Sequence, residues 1–433
     1  MSPIPNNPFN DDERALNRAL HGQVDPLQAS PLGLGEVQAK ARVVRRHRRI
    51  AAAAAVAAAV AVVVPTALVA TRGLDSTPDR PPVATQAPDP TRTEASDPTT
   101  SSPPEEAQTQ PFDLSALEKG DDPKIDWADG RDVHRFDGTV VPDALPAGTT
   151  DFAPMADGWV VMTRDDQGGQ YAQYVPADGV STQVVHDASG GLATSPLGEV
   201  VAWATPEGTV NGFHNGGELF ELPSVGAGEY FDAVAVTTED CQEGRTSPGG
   251  CTVYVNTKGL ESTARLTSSH GITDLVADDI DELTAWTSGR LAGIVERRDD
   301  MTTCSVVKKS DDGQPVVWET CDNRLVDFSP TGATVLGVGS VGDGDGGEGV
   351  VTLLDSTTGT PLVDLRADEK HQTFAYQWAW EDDSHVLLVV RSGVDWSIVR
   401  LGTDGSMEYA VAPVAGDADP STSPPPLLLQ QIS

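Results

Sequence analysis

The stretch Trp396–Val411, WSIVRLGTDGSMEYAV, decides how the chain is read. An apolar run, a turn at Asp404–Gly405 and a second apolar run describe a β-hairpin, because glycine reaches the positive φ that tight hairpins require. Working back along the chain, the same unit recurs at Gly349–Leu365, Cys304–Glu319, Cys251–Leu266, Thr209–Pro223 and Gln170–Val185. The turn glycines Gly405, Gly359, Gly313, Gly259, Gly217 and Gly179 are 46, 46, 54, 42 and 38 residues apart. A second unit, a short turn leading into an apolar run, precedes most of these hairpins and begins at Met155, Ser195, Asp278, Ser329 and Glu381. Two antiparallel pairs per period of about 40–45 residues is the pattern of a β-propeller blade.

The period predicts an all-β, six-bladed propeller over residues 121–413. A further strand pair at Val133–Val141, around Asp137–Gly138, either closes the ring against the last blade or forms a seventh blade, and closure is the favoured reading. A pair of β-sandwiches is the alternative fold, against which the internal period argues. The region resembles the WD-repeat-like and Tol-type propellers, whose blades carry a Ser-Pro-Asp-Gly turn before the second strand. Ser195–Pro196 and Ser329–Pro330 stand in that place, while the Trp-Asp and Gly-His pairs of true WD repeats do not occur.

The four cysteines fit this strand map. Cys304 and Cys321 flank the turn at Asp312, and Cys241 and Cys251 flank the loop QEGRTSPGG. Opposed residues of antiparallel strands lie within disulfide range, so the expected pairs are Cys241–Cys251 and Cys304–Cys321. Metal-site spacings such as CxxC are absent, and no zinc is expected.

Upstream the chain changes character. Ile50–Ala70 is 21 residues without a charge, including eleven Ala and six Val, long enough to span a bilayer as a helix that Pro65 kinks. Lys40, Arg42, Arg45, Arg46, Arg48 and Arg49 precede it, and only Arg72 and Arg80 follow nearby. The positive-inside rule then puts residues 1–49 in the cytoplasm as a basic tail and the C-terminal domain outside. A cleaved signal peptide is the alternative, with Leu68–Ala70 as its cleavage site. Residues 71–120 are expected to be a disordered Pro/Ser/Thr-rich linker, whose richest part, residues 73–111, would form a stalk of roughly 120 Å if extended, and residues 414–433 a disordered tail.

Charge is divided unevenly. Residues 1–49 carry eight Lys/Arg against five Asp/Glu, and the remainder carries 21 against 60. So acidic an outer part excludes nucleic acid as its partner. An even number of cysteines agrees with an exported domain.

Catalytic motifs are scarce. Gly342–Gly349 offers Asp343, Asp345 and Glu348 to calcium, but Gly347 and Leu354 stand where an EF-hand needs ligands, and a blade loop is the reading adopted. Ser310–Trp318 resembles the Asp-box turn of sialidases, one residue short and present once. The pairs Asp278/Asp279 and Asp382/Asp383 are what a strongly acidic chain supplies by chance. Trp203, Trp286, Trp378 and Trp380 read as core between blades, with Trp378 and Trp380 on one side of their strand.

These observations predict a membrane-anchored, extracytoplasmic and non-enzymatic binding or sensing module. It would need no cofactor, and its partner would be a protein or cell-envelope ligand on the propeller face. A propeller hydrolase is one alternative. Another follows from residues 1–70, whose acidic start, short helix at RALNRAL, basic cluster and Ala-rich span resemble actinobacterial membrane proteins associated with alternative sigma factors. That resemblance implies an anti-sigma-like regulator acting through its tail, although the HxxxCxxC motif of the zinc-type anti-sigma factors is missing.

Overall fold

The computed structural model describes residues 109–178, 184–214, 217–241, 250–259, 262–297, 303–310, 314–340, 347–367, 372–416 and 425–431. The basic tail, the apolar segment 50–70 and most of the linker lie outside this set.

The structure is an all-β propeller of seven blades. A short strand, β1 (Thr109–Pro111), precedes them. Blade 1 contains β2 (Trp127–Asp129), β3 (Asp132–His134) and β4 (Val140–Val141). Blade 2 runs β5 (Thr149–Met155), β6 (Gly158–Arg164), β7 (Gln170–Pro176) and β8 (Val185–Ala188). Blade 3 runs β9 (Gly190–Thr194), β10 (Val200–Ala204), β11 (Val210–His214) and β12 (Glu218–Leu222). Blade 4 is β13 (Tyr230–Val236), β14 (Thr252–Lys258), β15 (Thr263–Ser268) and β16 (Thr273–Leu275). Blade 5 is β17 (Glu282–Thr287), β18 (Arg290–Arg297), β19 (Thr303–Lys309) and β20 (Val316–Thr320). Blade 6 comprises β21 (Asn323–Phe328), β22 (Thr334–Gly339), β23 (Val350–Asp355) and β24 (Pro361–Arg366). Blade 7 comprises β25 (Thr373–Asp382), β26 (His385–Ser392), β27 (Asp395–Gly402) and β28 (Met407–Ala415). A last strand, β29 (Leu427–Leu429), returns to blade 1 and pairs antiparallel with β2 as its innermost strand.

Three sequence expectations are corrected here. The Val133–Val141 pair does not close the last blade. It forms β3 and β4 of a blade of its own, so the count is seven. Residues 414–433 are not wholly a disordered tail, because Leu427, Leu428 and Leu429 are buried in that blade. The expected disordered linker does not extend to residue 120: β1 adds in parallel to the outer edge of β24, with Thr109 opposite Asp364. The period also slips once. In blade 4 the Cys251–Leu266 hairpin is the second and third strands, and the outer turn is at Gly271 instead. Likewise, the run after Asp278 is the first strand of blade 5.

The side-chain period of two explains why a ring forms. Successive residues of a strand point to opposite faces, and in a propeller both faces meet another blade. In β26, Val386, Leu388 and Val390 pack toward blade 6, while Leu387 and Val389 pack toward blade 1. In β29, Leu427 and Leu429 face blade 7 and Leu428 faces blade 2. The buried apolar residues accordingly fall into seven clusters, one at each blade interface.

The segment before blade 1 straps two blades together. Phe112 is fully buried, and with Leu114 it joins the cluster between blades 6 and 7. The Tyr409 hydroxyl donates to the Leu114 carbonyl at 3.0 Å. Arg400, 6 % exposed, donates to the carbonyls of Asp121 and Asp122 at 3.1 Å each and also pairs with Glu381 and Glu408. Glu381 Oε1 in turn accepts the Lys124 N–H at 2.6 Å. Burial alone would raise the Glu381 carboxyl, but the bonds from Arg400 and Lys124 outweigh it and hold the group below its ordinary value.

Candidate functional site

The innermost strands β5, β9, β13, β17, β21, β25 and β29 surround a central cavity of about 290 Å³. Every blade contributes to its wall: Gln431, Asp151, Leu192, Asp232, Thr284, Asp327 and Trp378, taking blades 1 to 7 in order. Six of the seven inner strands carry a bulge: five at Thr150, Val234, Thr284, Val326 or Tyr376, each residue skipped by the neighbouring strand, and β9 at Gly191–Leu192, which oppose Trp203 alone. A bulge re-aims the side chains beside it. Asp151 and Asp327 each follow a bulge by one residue and line the cavity.

The wall is rich in carboxyls. Burial pushes Asp151 up to about 8, with Asp232 adding to the rise and hydrogen bonds from the Phe152 N–H and the Gln431 side chain opposing it. Burial pushes Asp327 to about 8 as well, against a bond from the Phe328 N–H. Asp232 is raised by burial and by Glu282, and Lys258 pulls the other way. Asp232 also explains a glycine: its carboxyl lies over Gly191, φ +62°, where a Cβ would collide with Oδ1. The wall's Glu282 pairs with Lys258 at 3.2 Å, and the wall's cation, Arg324, pairs with Glu348 at 2.6 Å.

The sequence-derived sites scatter around this ring. Cys241–Cys251 and Cys304–Cys321 are disulfides, as expected from the hairpins. The first closes the long loop between β13 and β14, and the second extends the β19–β20 ladder by one pair. Lys40, Arg42, Arg45, Arg46, Arg48 and Arg49 lie outside the described residues, as do Asp343 and Asp345. Glu348 sits instead on the Arg324 ion pair. Within Ser310–Trp318, the indole N–H of Trp318 donates to the Ser356 carbonyl at 2.9 Å, which locks blade 5 to blade 6. Asp279 pairs with the buried Lys308, and Asp382 pairs with His385 at 2.9 Å. Asp383 accepts the Thr331 N–H at 2.8 Å, so an acid of blade 7 caps the Ser329–Gly332 turn of blade 6. Glu239 of blade 4 does the same for the Ser195–Gly198 turn of blade 3, accepting the Leu197 N–H at 2.7 Å.

Trp203 and Trp380 are core, and Trp378 and Trp380 pack toward the same neighbouring blade. Trp286 and Trp378, however, also line the central cavity. The sequence reading missed Asp151, Asp232 and Asp327 altogether. Their signal was present: each is a lone carboxylate beside a phenylalanine within a strand, at Asp151–Phe152, Phe231–Asp232 and Asp327–Phe328. The phenylalanine is buried in each case, which turns the aspartate the other way.

No family model and no curated protein matches the chain. Solved structures do. A eukaryotic initiation factor aligns at 13% identity with a TM-score of 0.39, over 69% of this chain and 87% of its own. The β-propeller domain of Cps50 (Swd1) from Myceliophteria_thermophila gives 8% and 0.41, over 63% and 88%. The β-propeller domain of the Trilobed protease from Pyrococcus furiosus, described as having an open velcro topology, gives 10% and 0.41, over 62% and 85%.

Proposed function

We propose that the chain is a membrane-anchored, extracytoplasmic β-propeller that works as a non-enzymatic binding module, with the central cavity as its recognition site. The observation that carries this reading is the convergence of all seven inner strands on one cavity whose wall mixes aromatic rings with carboxyl and hydroxyl groups. The two disulfides support an oxidising compartment. Ile50–Ala70 and the six basic residues before it support an anchor with the propeller outside. The test is hydrogen exchange on the full chain with and without an extract of its own cell envelope. Protection should appear at inner strands such as β5, β13 and β21. Unchanged exchange there, or protection of outer strands alone, sinks the cavity as the recognition site.

A further inference from the structure

We propose that the central cavity binds a small organic ammonium ion, held by the carboxyls of Asp151, Asp232 and Asp327 and flanked by the indoles of Trp286 and Trp378. This deepens the binding-module reading and rests on it.

The arrangement of charge comes first. Once Lys258 is paired with Glu282 and Arg324 with Glu348, the three aspartates remain, and none of them is in a salt bridge among the described residues. They belong to β5, β13 and β21, so they reach the axis from alternate blades, on three sides of one space. The second observation is independent of charge. Asp151 Oδ1 and Thr284 Oγ1 are buried atoms of the cavity wall that find no hydrogen-bond partner among the described residues. Folded proteins satisfy nearly all such atoms, and two unpartnered oxygens on one cavity wall point to a missing donor. An ammonium group offers three N–H donors, and both oxygens accept. The indole faces attract a cation through their quadrupole and shelter its alkyl portion.

A bare metal ion fits less well. It needs oxygen ligands converging at about 2–2.6 Å. Among the described residues, the clusters of possible ligands close enough for one ion are Glu381, Asp382 and His385, and a second that includes the disulfide-bonded Cys304 and Cys321, both away from the cavity. An ammonium reaches further through its N–H bonds and tolerates the wider spacing.

Binding at neutral pH exchanges a proton. Burial keeps Asp151 and Asp327 protonated to about pH 8, within a field set by Asp232, Glu282, Lys258 and Arg324 from the adjoining strands. When the ammonium enters, one carboxylic acid gives its proton to solvent and becomes the carboxylate that faces the cation. Affinity therefore rises with pH through about 8, until the amine itself loses its charge.

The experiment is isothermal titration of the full chain in mild detergent with 1,4-diaminobutane. Saturable binding at pH 8.5, weaker by roughly a hundredfold at pH 6, where about one proton is released per site, is the expected result. Asp151→Asn and Asp327→Asn should each weaken binding roughly tenfold or more while melting no lower than the parent, since Asn copies the protonated acid. Asp404→Asn, in an exposed turn, should bind normally. Undiminished binding in the two aspartate variants overturns the proposal, as does a response to calcium chloride with none to the amine. Failure with the amine, while envelope extract still protects the inner strands, removes the ammonium and leaves the binding module standing. Failure of both removes both.

Discussion

The side-chain amide of Gln377 hydrogen-bonds both backbone polar groups of Leu429, donating to its carbonyl at 3.0 Å and accepting its N–H at 2.7 Å. Gln377 belongs to blade 7 and Leu429 to the strand that closes blade 1, so one amide bridges the seam of the ring. Asn256 does the same between blades 4 and 5, donating to the Leu283 carbonyl at 2.7 Å and accepting the Leu283 N–H at 2.8 Å. Each amide imitates a strand neighbour where sheet pairing stops.

Gln377→Ala should therefore destabilise more than an average surface change. Leu429 is fully buried, and its two polar groups would lose their partner at a cost of about 1–3 kcal/mol each. A lowered melting temperature with unchanged disulfides is expected in thermal denaturation. Gln377→Glu keeps one acceptor, loses the donor and should fall between. Removal of residues 425–433 takes away the inner strand of blade 1 and should prevent cooperative unfolding altogether.

The strap gives a second expectation. Phe112→Ala leaves a cavity between blades 6 and 7 and should cost about 3–5 kcal/mol, the usual range for a buried phenylalanine. Limited proteolysis should then cut within residues 109–124 well before the blades. Equal resistance of the variant and the parent would show that the strap contributes little to the fold.

Acid should loosen the same strap. Glu381 is held below its ordinary value, so its contribution is complete above the unfolded carboxyl range and disappears as pH falls through the lower folded value. Proteolytic release of residues 109–124 should rise below about pH 4, and Glu381→Gln should show it already at pH 7.

The cavity carboxyls act in the opposite sense. Asp151 and Asp327 sit near 8 in the folded chain, so the folded state holds protons that the unfolded chain has lost. Stability falls as pH rises from about 4 to 8 and is level above that. Asp327→Asn should flatten this fall and raise the melting temperature at pH 8. An unaltered slope in pH-dependent denaturation would contradict the burial of this group.

The two disulfides should contribute modestly. They span sequence separations of 10 and 17 residues, for which loop-closure entropy gives about 3 kcal/mol each. Cys304→Ser with Cys321→Ser should lower the melting temperature and leave a folded ring, because blade interfaces still bury their clusters.

Topology is testable apart from the fold. A phosphatase active only outside the cytoplasm, fused after residue 120, should be active if the basic cluster at Lys40–Arg49 orients the anchor. An inactive but intact fusion would reverse the proposed orientation, and a soluble product ending near Ala70 would replace the anchor with a cleaved signal.

By itself the sequence determined what is local. Alternating apolar runs, turn glycines such as Gly359 and Gly405 and the cysteine spacings are short-range features, and they specified strands, hairpins, a blade-length period and both disulfide pairings. It left open whatever depends on which strand comes to lie beside which. Leu427–Leu429 are three apolar residues in a Pro-rich ending, too short to announce a strand, and only the gap left inside β2 gives them a place. Thr109–Pro111 become a strand because the edge of β24 is there to pair with. Asp151, Asp232 and Asp327, far apart in the chain, become one site because the ring closes. Closure is a long-range event, settled by seven interfaces burying both faces of every inner strand at once, and no single segment contains that information.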